Sequence, residues 1–221
     1  MRALGTTDLL RIAIILVAAA VALSAWVVIE EAPLPGDIRL TREIQSWGRL
    51  GDNEALINGA HPWRWPILVL AAVLTLFRWR VGGSSGPSGR QRDFALWAFI
   101  AAAVFSLFDN VLKAAVRSPR PLADLGVHVQ EFKDTYGFPS GHVYGDLLVY
   151  GTLAVTAPLW VHPRLVLLVR AVCVAIIILS GPARVIVGAH WPSDTVGGYL
   201  WGGAALALSI AFAQKAAGSR R

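Results

Sequence analysis

Three clusters in the second half of the chain hold side chains that can work on an anion: Lys113 with Arg120 and Pro121, the run Pro139-Ser140-Gly141-His142, and Arg184 followed by His190 and Asp194. Lys113, Arg120 and Arg184 are three cations, a match for a phosphoryl group of charge about −2. Arginine offers a planar fork to two oxygens and lysine a point charge. Ser140-Gly141-His142 opens an apolar stretch, and at a helix start the free N–H groups and the dipole favour an anion. Gly141 lets that backbone approach a ligand, while Ser140 is equally suited to capping the helix. His190 and Asp194 are four residues apart. A carboxylate accepting Nδ1–H fixes the imidazole tautomer and leaves Nε2 free to attack phosphorus. Asp194 alone would also favour the imidazolium, which cannot attack; the three cations oppose that effect. His142 is then left to protonate the leaving oxygen, since equal side chains in unequal surroundings can divide the two roles. Such a set is what phosphate ester hydrolysis needs, because enzymes accelerate it by up to about 10²¹. Removing one charge-stabilising group typically costs roughly 10²–10³ in turnover.

The elements that must bring these clusters together are apolar. Of 221 residues, 55% are apolar and 15% charged, with a mean hydropathy of +0.55, whereas a soluble domain carries about a quarter charged residues. Twenty Lys+Arg against fourteen Asp+Glu give +6, but the basic residues lie between apolar blocks, as in a protein oriented in a bilayer rather than one that binds nucleic acid. The single cysteine, Cys173, excludes an internal disulfide and a cysteine-rich zinc site. Spans need about 20 residues each, and six are predicted, over 9–29, 63–79, 94–116, 140–161, 165–180 and 194–213. The expected fold is all-α, a single membrane domain over residues 1–221 forming a six-helix bundle, with 94–213 as the catalytic core.

The first span has eighteen uncharged residues after Arg11, longer than the 7–15 of a signal-peptide core, and reads as a retained helix. The second is charge-free only over 67–77 and crosses if Arg64 and Arg78 snorkel beside interfacial tryptophans. Residues 38–50, with Trp47, predict an interfacial helix, and 82–89 (GGSSGPSG) a linker. Gly141/Gly145 and Gly198/Gly202 read as helix-packing pairs. Basic residues near the helix ends are almost evenly split, ten against nine, but ten of fourteen acids fall on the second face. That favours cytoplasmic N- and C-termini, with the loops 117–139 and 181–193 together on the outer face.

The three clusters resemble the signature of the type 2 phosphatidic acid phosphatase superfamily, the membrane lipid phosphatases: KxxxxxxRP, PSGH and SRxxxxxHxxxD, in that order. Lys113/Arg120/Pro121, Pro139–His142 and Arg184/His190/Asp194 match ten fixed positions, and the resemblance runs from about residue 94 to the C-terminus. The serine expected before Arg184 is Ala183, a departure that touches the rate more than the reaction, since backbone donors can replace one hydroxyl. The resemblance implies that His190 forms a phosphohistidine, His142 is the acid and Asp194 orients His190. It implies too that Lys113, Arg120, Arg184, Ser140 and Gly141 hold phosphate, and that no metal or other cofactor takes part. The implied substrates are lipid phosphates at the outer leaflet: undecaprenyl pyrophosphate, phosphatidylglycerophosphate or phosphatidate, with the carrier pyrophosphate ahead because an outward site suits its recycling.

Several polar residues have plainer readings. Lys113 can simply pair with Asp109 one turn earlier; Asp109 and Asn110, inside a span, are expected to face the bundle interior. Asp146 either positions His142 or bonds a neighbouring helix. Arg117 reads as a surface cation, His61 and His162 as interfacial, and His128 as a loop residue. Trp47, Trp63, Trp65 and Trp79 read as interface anchors, whereas Trp191, beside His190, is a candidate to line the site. Three other functions compete: a phosphotransferase using the same phosphohistidine, a small transporter with Asp109, Lys113 and Asp146 as buried relays, and vanadium haloperoxidase chemistry, against which the spans count.

Overall fold

A computed structural model describes residues 4–47, 61–83, 86–130 and 134–219. Among them the regular structure is helical throughout, without a strand. Helix α1 (Thr6–Glu30) ends where Glu31 turns left-handed at φ 57. It leads into the short α2 (Asp37–Ser46), where the interfacial helix is predicted, with Trp47 exposed at its end; residues 48–50 of that prediction lie outside the described residues. Helix α3 (Arg64–Val81) precedes α4 (Gly89–Phe105), which begins with a capping box between Ser88 and Gln91. The third predicted span is therefore not one helix: the chain breaks at residues 106 and 107 and resumes as α5 (Phe108–Val116). Helix α6 (Gly141–Trp160) starts at the predicted position, while α7 (Val166–Ile186) runs six residues beyond the predicted end of the fifth span, taking Arg184 out of the expected loop and into a helix. Helix α8 (Pro192–Gly218) completes the chain, with Pro192 at a position where its missing N–H has no intrahelical partner to lose.

Among the described residues, four helical stretches are long and apolar enough to cross a membrane: Thr6–Glu30, Gly89–Val116, Pro163–Ile186 and Pro192–Gly218. Their outer surface is apolar, with Ile14, Ile29 and Leu167 at 69%, 76% and 78% exposure. A belt of that kind belongs against lipid, and the chain is a multi-pass membrane protein. Helices α3 and α6 fall short by composition, for different reasons. Helix α6 is the centre of the bundle, enclosed by α3, α4, α7 and α8, so glycine, threonine and tyrosine face protein rather than acyl chains. Helix α3 carries Arg64 and Arg78, and neither snorkels outward as expected. Arg78 turns in to donate to the carbonyls of Pro158 and Val161, neutralising the last turn of α6. Arg64 inserts between α3 and α6 beside Gly145.

The closest seam joins α6 and α8. A Cβ placed on Gly202 would lie 2.8 Å from the Tyr144 carbonyl oxygen and 3.1 Å from its Cα, and one on Gly198 would lie 2.9 Å from the Ser140 oxygen. Gly198/Gly202 thus pack helix on helix as predicted. Gly141/Gly145 do something else: they clear space for charged side chains, Gly141 for Lys113 and Asp109, and Gly145 for Arg64. At one end of the bundle Gln214 accepts from Thr6 and donates to the Leu4 carbonyl, tying α1 to the end of α8. At the other end, the start of α8 is held by α2.

Gly202→Ala should separate α6 from α8 and lower stability by about 1–3 kcal/mol. Gly203→Ala, whose nearest obstacle is the tip of Leu16 at 3.1 Å, should be neutral or stabilising because alanine is the better helix former. Thermal unfolding of the two variants in detergent checks the contrast.

Candidate active site

The three sequence clusters sit at the ends of α5, α6, α7 and α8, all at the same end of the bundle. Helix α5 stops at Arg117, left-handed at φ 55, with its exposed guanidinium folded back on the Ala114 carbonyl. One turn earlier Lys113 lies 3.4 Å from Asp109, half-buried. That pair does not take Lys113 away from the second cluster: a Cβ on Gly141 would lie 2.8 Å from Lys113 Nζ. Asn110 is exposed, contrary to the expectation that it faces inward.

The second cluster enters α6 with Ser140 in the cap position, but its hydroxyl makes no capping bond, and Ser140 Oγ is buried without a hydrogen-bond partner among the described residues. The Ser140 N–H instead donates to the Asp194 carbonyl at 2.9 Å, joining the starts of α6 and α8. At Gly137, in the approach to this turn, a Cβ would lie 2.7 Å from Asp194 Oδ2.

The third cluster closes the site. Arg184, 1% exposed, occupies the last turn of α7, and its carbonyl accepts the Ala189 N–H at 3.1 Å, reversing the chain toward α8. His190, 2% exposed, has Nδ1 at 3.3 Å from Asp194 Oδ2. The same carboxylate oxygen accepts the Trp191 N–H at 3.0 Å. On its other side His190 presents Nε2 to Arg120 Nη1 at 3.2 Å. A guanidinium can only donate, so Nε2 carries the lone pair and Nδ1 the proton, given to Asp194. Arg120 is aimed there by three more acceptors: the Ala189 carbonyl at 2.6 Å, the Thr135 carbonyl at 2.8 Å and Thr135 Oγ1 at 3.0 Å. The arrangement holds a neutral imidazole with its nucleophilic nitrogen facing a cation, which is the geometry for attack on a bound oxyanion.

Trp191 does not line the site. It is fully buried among Val27, Ala32, Leu34, Val127 and Phe138, where it fixes the loop that carries His190. His162 caps its own 3₁₀ turn, accepting from the Arg164 N–H. His128 is exposed and held only by its backbone, to Gln45. Three side chains at this end escaped the sequence reading. Thr135 orients Arg120. Asp37, 4% exposed, accepts the Ser193 N–H at 3.0 Å, the Ser193 hydroxyl at 2.6 Å and the Leu34 N–H at 2.9 Å, and so fastens α2 to the start of α8. His61, read as interfacial, has a contact the sequence did not show: its ring stacks on His142 with centroids 3.8 Å apart.

The PAP2 superfamily model matches residues 94–217, and the chain belongs to that superfamily. Lipid A 1-phosphatases from Rhizobium etli and Rhizobium johnstonii are each 29% identical, over 62% and 66% of this chain and 60% and 62% of their own lengths. The chain thus spans about three-fifths of the curated relatives it matches. Among solved structures, a transmembrane PAP2-type phosphatidylglycerolphosphate phosphatase from Bacillus subtilis superposes with a TM-score of 0.71 at 20% identity, covering 92% of this chain and 96% of that one. That likeness is one of fold.

Asp37→Asn keeps the size of the side chain but offers one acceptor oxygen where three bonds are made. The loss should cost about 1–3 kcal/mol for the buried groups left unsatisfied. Hydrogen exchange should quicken at residues 190–195 while the Thr6–Gln214 end is unchanged, a localisation that peptide-resolved mass spectrometry can read.

Proposed function

We propose that this chain hydrolyses phosphorylated lipids at the membrane–water boundary through a phosphohistidine on His190, without a metal. The observation that carries the reading is the placement of His190 between Asp194 on Nδ1 and Arg120 on Nε2, 3.3 and 3.2 Å away. In the proposed reaction the phosphate exchanges for the Arg120–Nε2 contact, its oxygens held by Arg120, Arg184, Lys113 and the free N–H groups at the start of α6. His190 Nε2 attacks phosphorus in line with the bond to the lipid oxygen. That P–O bond breaks, and His142 gives its proton to the departing oxygen. Asp194 stabilises the positive charge that His190 gains. His142, now neutral, takes a proton from water as the water oxygen attacks phosphorus. The P–N bond breaks, releasing inorganic phosphate and restoring His190. Ala183 contributes no hydroxyl, and Gly188 and Ala189 spend their N–H groups on the carbonyls of Val185 and Arg184. The α6 donors therefore carry that share of phosphate binding.

Six crossings are part of the same reading. Helix α3 begins beside His142 and ends beside the last turn of α6, so it runs the length of the central helix, about 27 Å at 1.5 Å per residue, close to the hydrocarbon thickness of about 30 Å. With six spans and cytoplasmic ends the site is extracytoplasmic, where a lipid can keep its tail in the leaflet and present its headgroup to the cations. Names of relatives and of the structural neighbour point to phosphorylated lipids as the substrate class. Lipid A 1-phosphate therefore joins undecaprenyl pyrophosphate, phosphatidylglycerophosphate and phosphatidate as a candidate.

Purified protein in detergent should release phosphate from at least one of these four lipids, with EDTA present, and His190→Ala and His142→Ala should each reduce turnover by roughly 10²-fold or more. Brief mixing with a ³²P-labelled substrate should give an alkali-stable, acid-labile phosphoprotein that His190→Ala lacks. Activity abolished by EDTA would overturn the metal-free step, and an extracytoplasmic reporter fused after Arg221 would overturn the orientation.

A further inference from the structure

His142 is held by a residue from outside the three clusters. Residues His61–Trp63 form a 3₁₀ turn that leads directly into α3, and the His61 ring lies on that of His142 at a centroid distance of 3.8 Å and an interplanar angle of 25°. His61 is itself fixed from α6: Nδ1 is 3.1 Å from Asp146 Oδ1. The other oxygen of that carboxylate accepts the Ser180 hydroxyl from α7 at 2.8 Å. Arg64 Nη1 approaches the same ring nitrogen at 3.3 Å, and it reaches there because Gly145 has no side chain: a Cβ would lie 3.0 Å from Arg64 Cζ. The carboxylate is the nearer partner, so His61 Nδ1–H donates to Asp146 and Arg64 balances the Asp146 charge. Asp109 and Tyr150 complete the charged and titratable groups around Arg64.

We propose that His61, anchored by Asp146 and Arg64, is a positioning residue for His142: a flat platform that sets the angle of its ring and supports its protonated form. A ring at the start of a helix has two side-chain torsions to fix, and stacking fixes both while leaving the ring edges, which carry the protons, clear of the stack. The face of an aromatic ring is electron-rich and favours a cation laid on it, so the His61 ring supports the imidazolium that donates the proton. Asp146 and Arg64 together present almost no net charge to it. The inference rests on His142 being the proton donor proposed above, and it accounts for a histidine, an aspartate and an arginine that the family signature leaves without a task.

The test turns on the leaving group. An alkoxide leaving a lipid phosphate needs a proton; nitrophenolate does not. His61→Ala should therefore lower kcat on phosphatidate in detergent micelles by about tenfold, a fraction of the 10²–10⁴ a general acid supplies, with KM little changed. On p-nitrophenyl phosphate the same variant should lose less than about threefold. His61→Phe, which keeps the platform and gives up the bond to Asp146, should recover most of the phosphatidate rate. In a His142→Ala background His61→Ala should have no further effect, the non-additivity expected of residues acting as one unit. Equal losses on both substrates with no recovery in His61→Phe would mean that His61 only holds the fold, and would overturn the proposal. So would a silent His61→Ala beside an impaired His142→Ala. A silent His142→Ala would instead defeat the assignment of the acid itself.

Discussion

The hydrogen bond from the Ser140 N–H to the Asp194 carbonyl is the constraint on which the rest of the site depends. It fixes the starts of α6 and α8 against each other, and those two starts carry the Ser140-Gly141-His142 run and the His190–Asp194 pair. The bond can form only if the helices touch backbone to backbone, as Gly198 and Gly202 allow. With side chains there, the two ends would move apart by about the width of a methyl group, and the groups proposed to share one phosphate would no longer reach it. Positioning errors of that size are costly, since effective molarity falls steeply once reacting atoms leave near-attack geometry. Helix–helix contact within the bilayer thus serves the chemistry at its edge.

Charge inside a lipid-facing bundle must be turned inward or matched, and this chain does so by removing side chains opposite its cations. Gly141 faces Lys113 and Asp109, and Gly145 faces Arg64. Arg78 spends its donors on the carbonyls that end α6, and Arg170 donates from α7 to the Ala154 carbonyl. The hydropathy of α3 therefore understates its place in the bundle: Arg78 bonds to the end of α6 and Arg64 reaches His61, while Arg80 is exposed. The transporter reading, in which Asp109, Lys113 and Asp146 relay ions, loses its buried unpaired groups in the same way, because Lys113 has Asp109 and Asp146 has His61 and Ser180.

The part of the site legible in the sequence was the part with fixed spacing. His190 and Asp194, four apart, had to share a turn, and Pro192 marked where that turn began. Ser140-Gly141-His142 announced a helix start by composition alone. Spans were legible from hydropathy wherever the helix faces lipid, as in α1 and α7. What could not be read were contacts between residues far apart in sequence. Asp37 and Ser193 are 156 residues apart, and His61 and Asp146 are 85 apart. No local pattern distinguishes a histidine at a helix end that faces lipid headgroups from one that stacks on another ring. The signal that was available for His61 lay in its neighbours: an arginine three residues on, at the start of a span, is expensive unless something inside the bundle receives it. The break at residues 106 and 107 was hidden for a simpler reason, since Ser106 and Leu107 are both compatible with a helix interior. The extension of α7 to Ile186 went unread because Gly181-Pro182 looks like a stop, while the bundle tolerates a proline in the last turns of the helix.

Two imidazoles of the same intrinsic basicity need opposite protonation states if one is to attack phosphorus and the other to release a proton. The structure gives them different company. His190 is buried, bonded on one edge to Asp194 and on the other to Arg120. Protonation of Nε2 there would set a cation directly against a guanidinium, so the approach of Arg120 favours the neutral ring. His142 is more open, and one face of its ring lies on that of His61. Cations lie on the edge of one ring, and an aromatic face lies against the other. In the proposed mechanism that asymmetry is what divides nucleophile from acid, and it makes the turn leading into α3, which lies outside all three sequence clusters, part of the same end of the bundle.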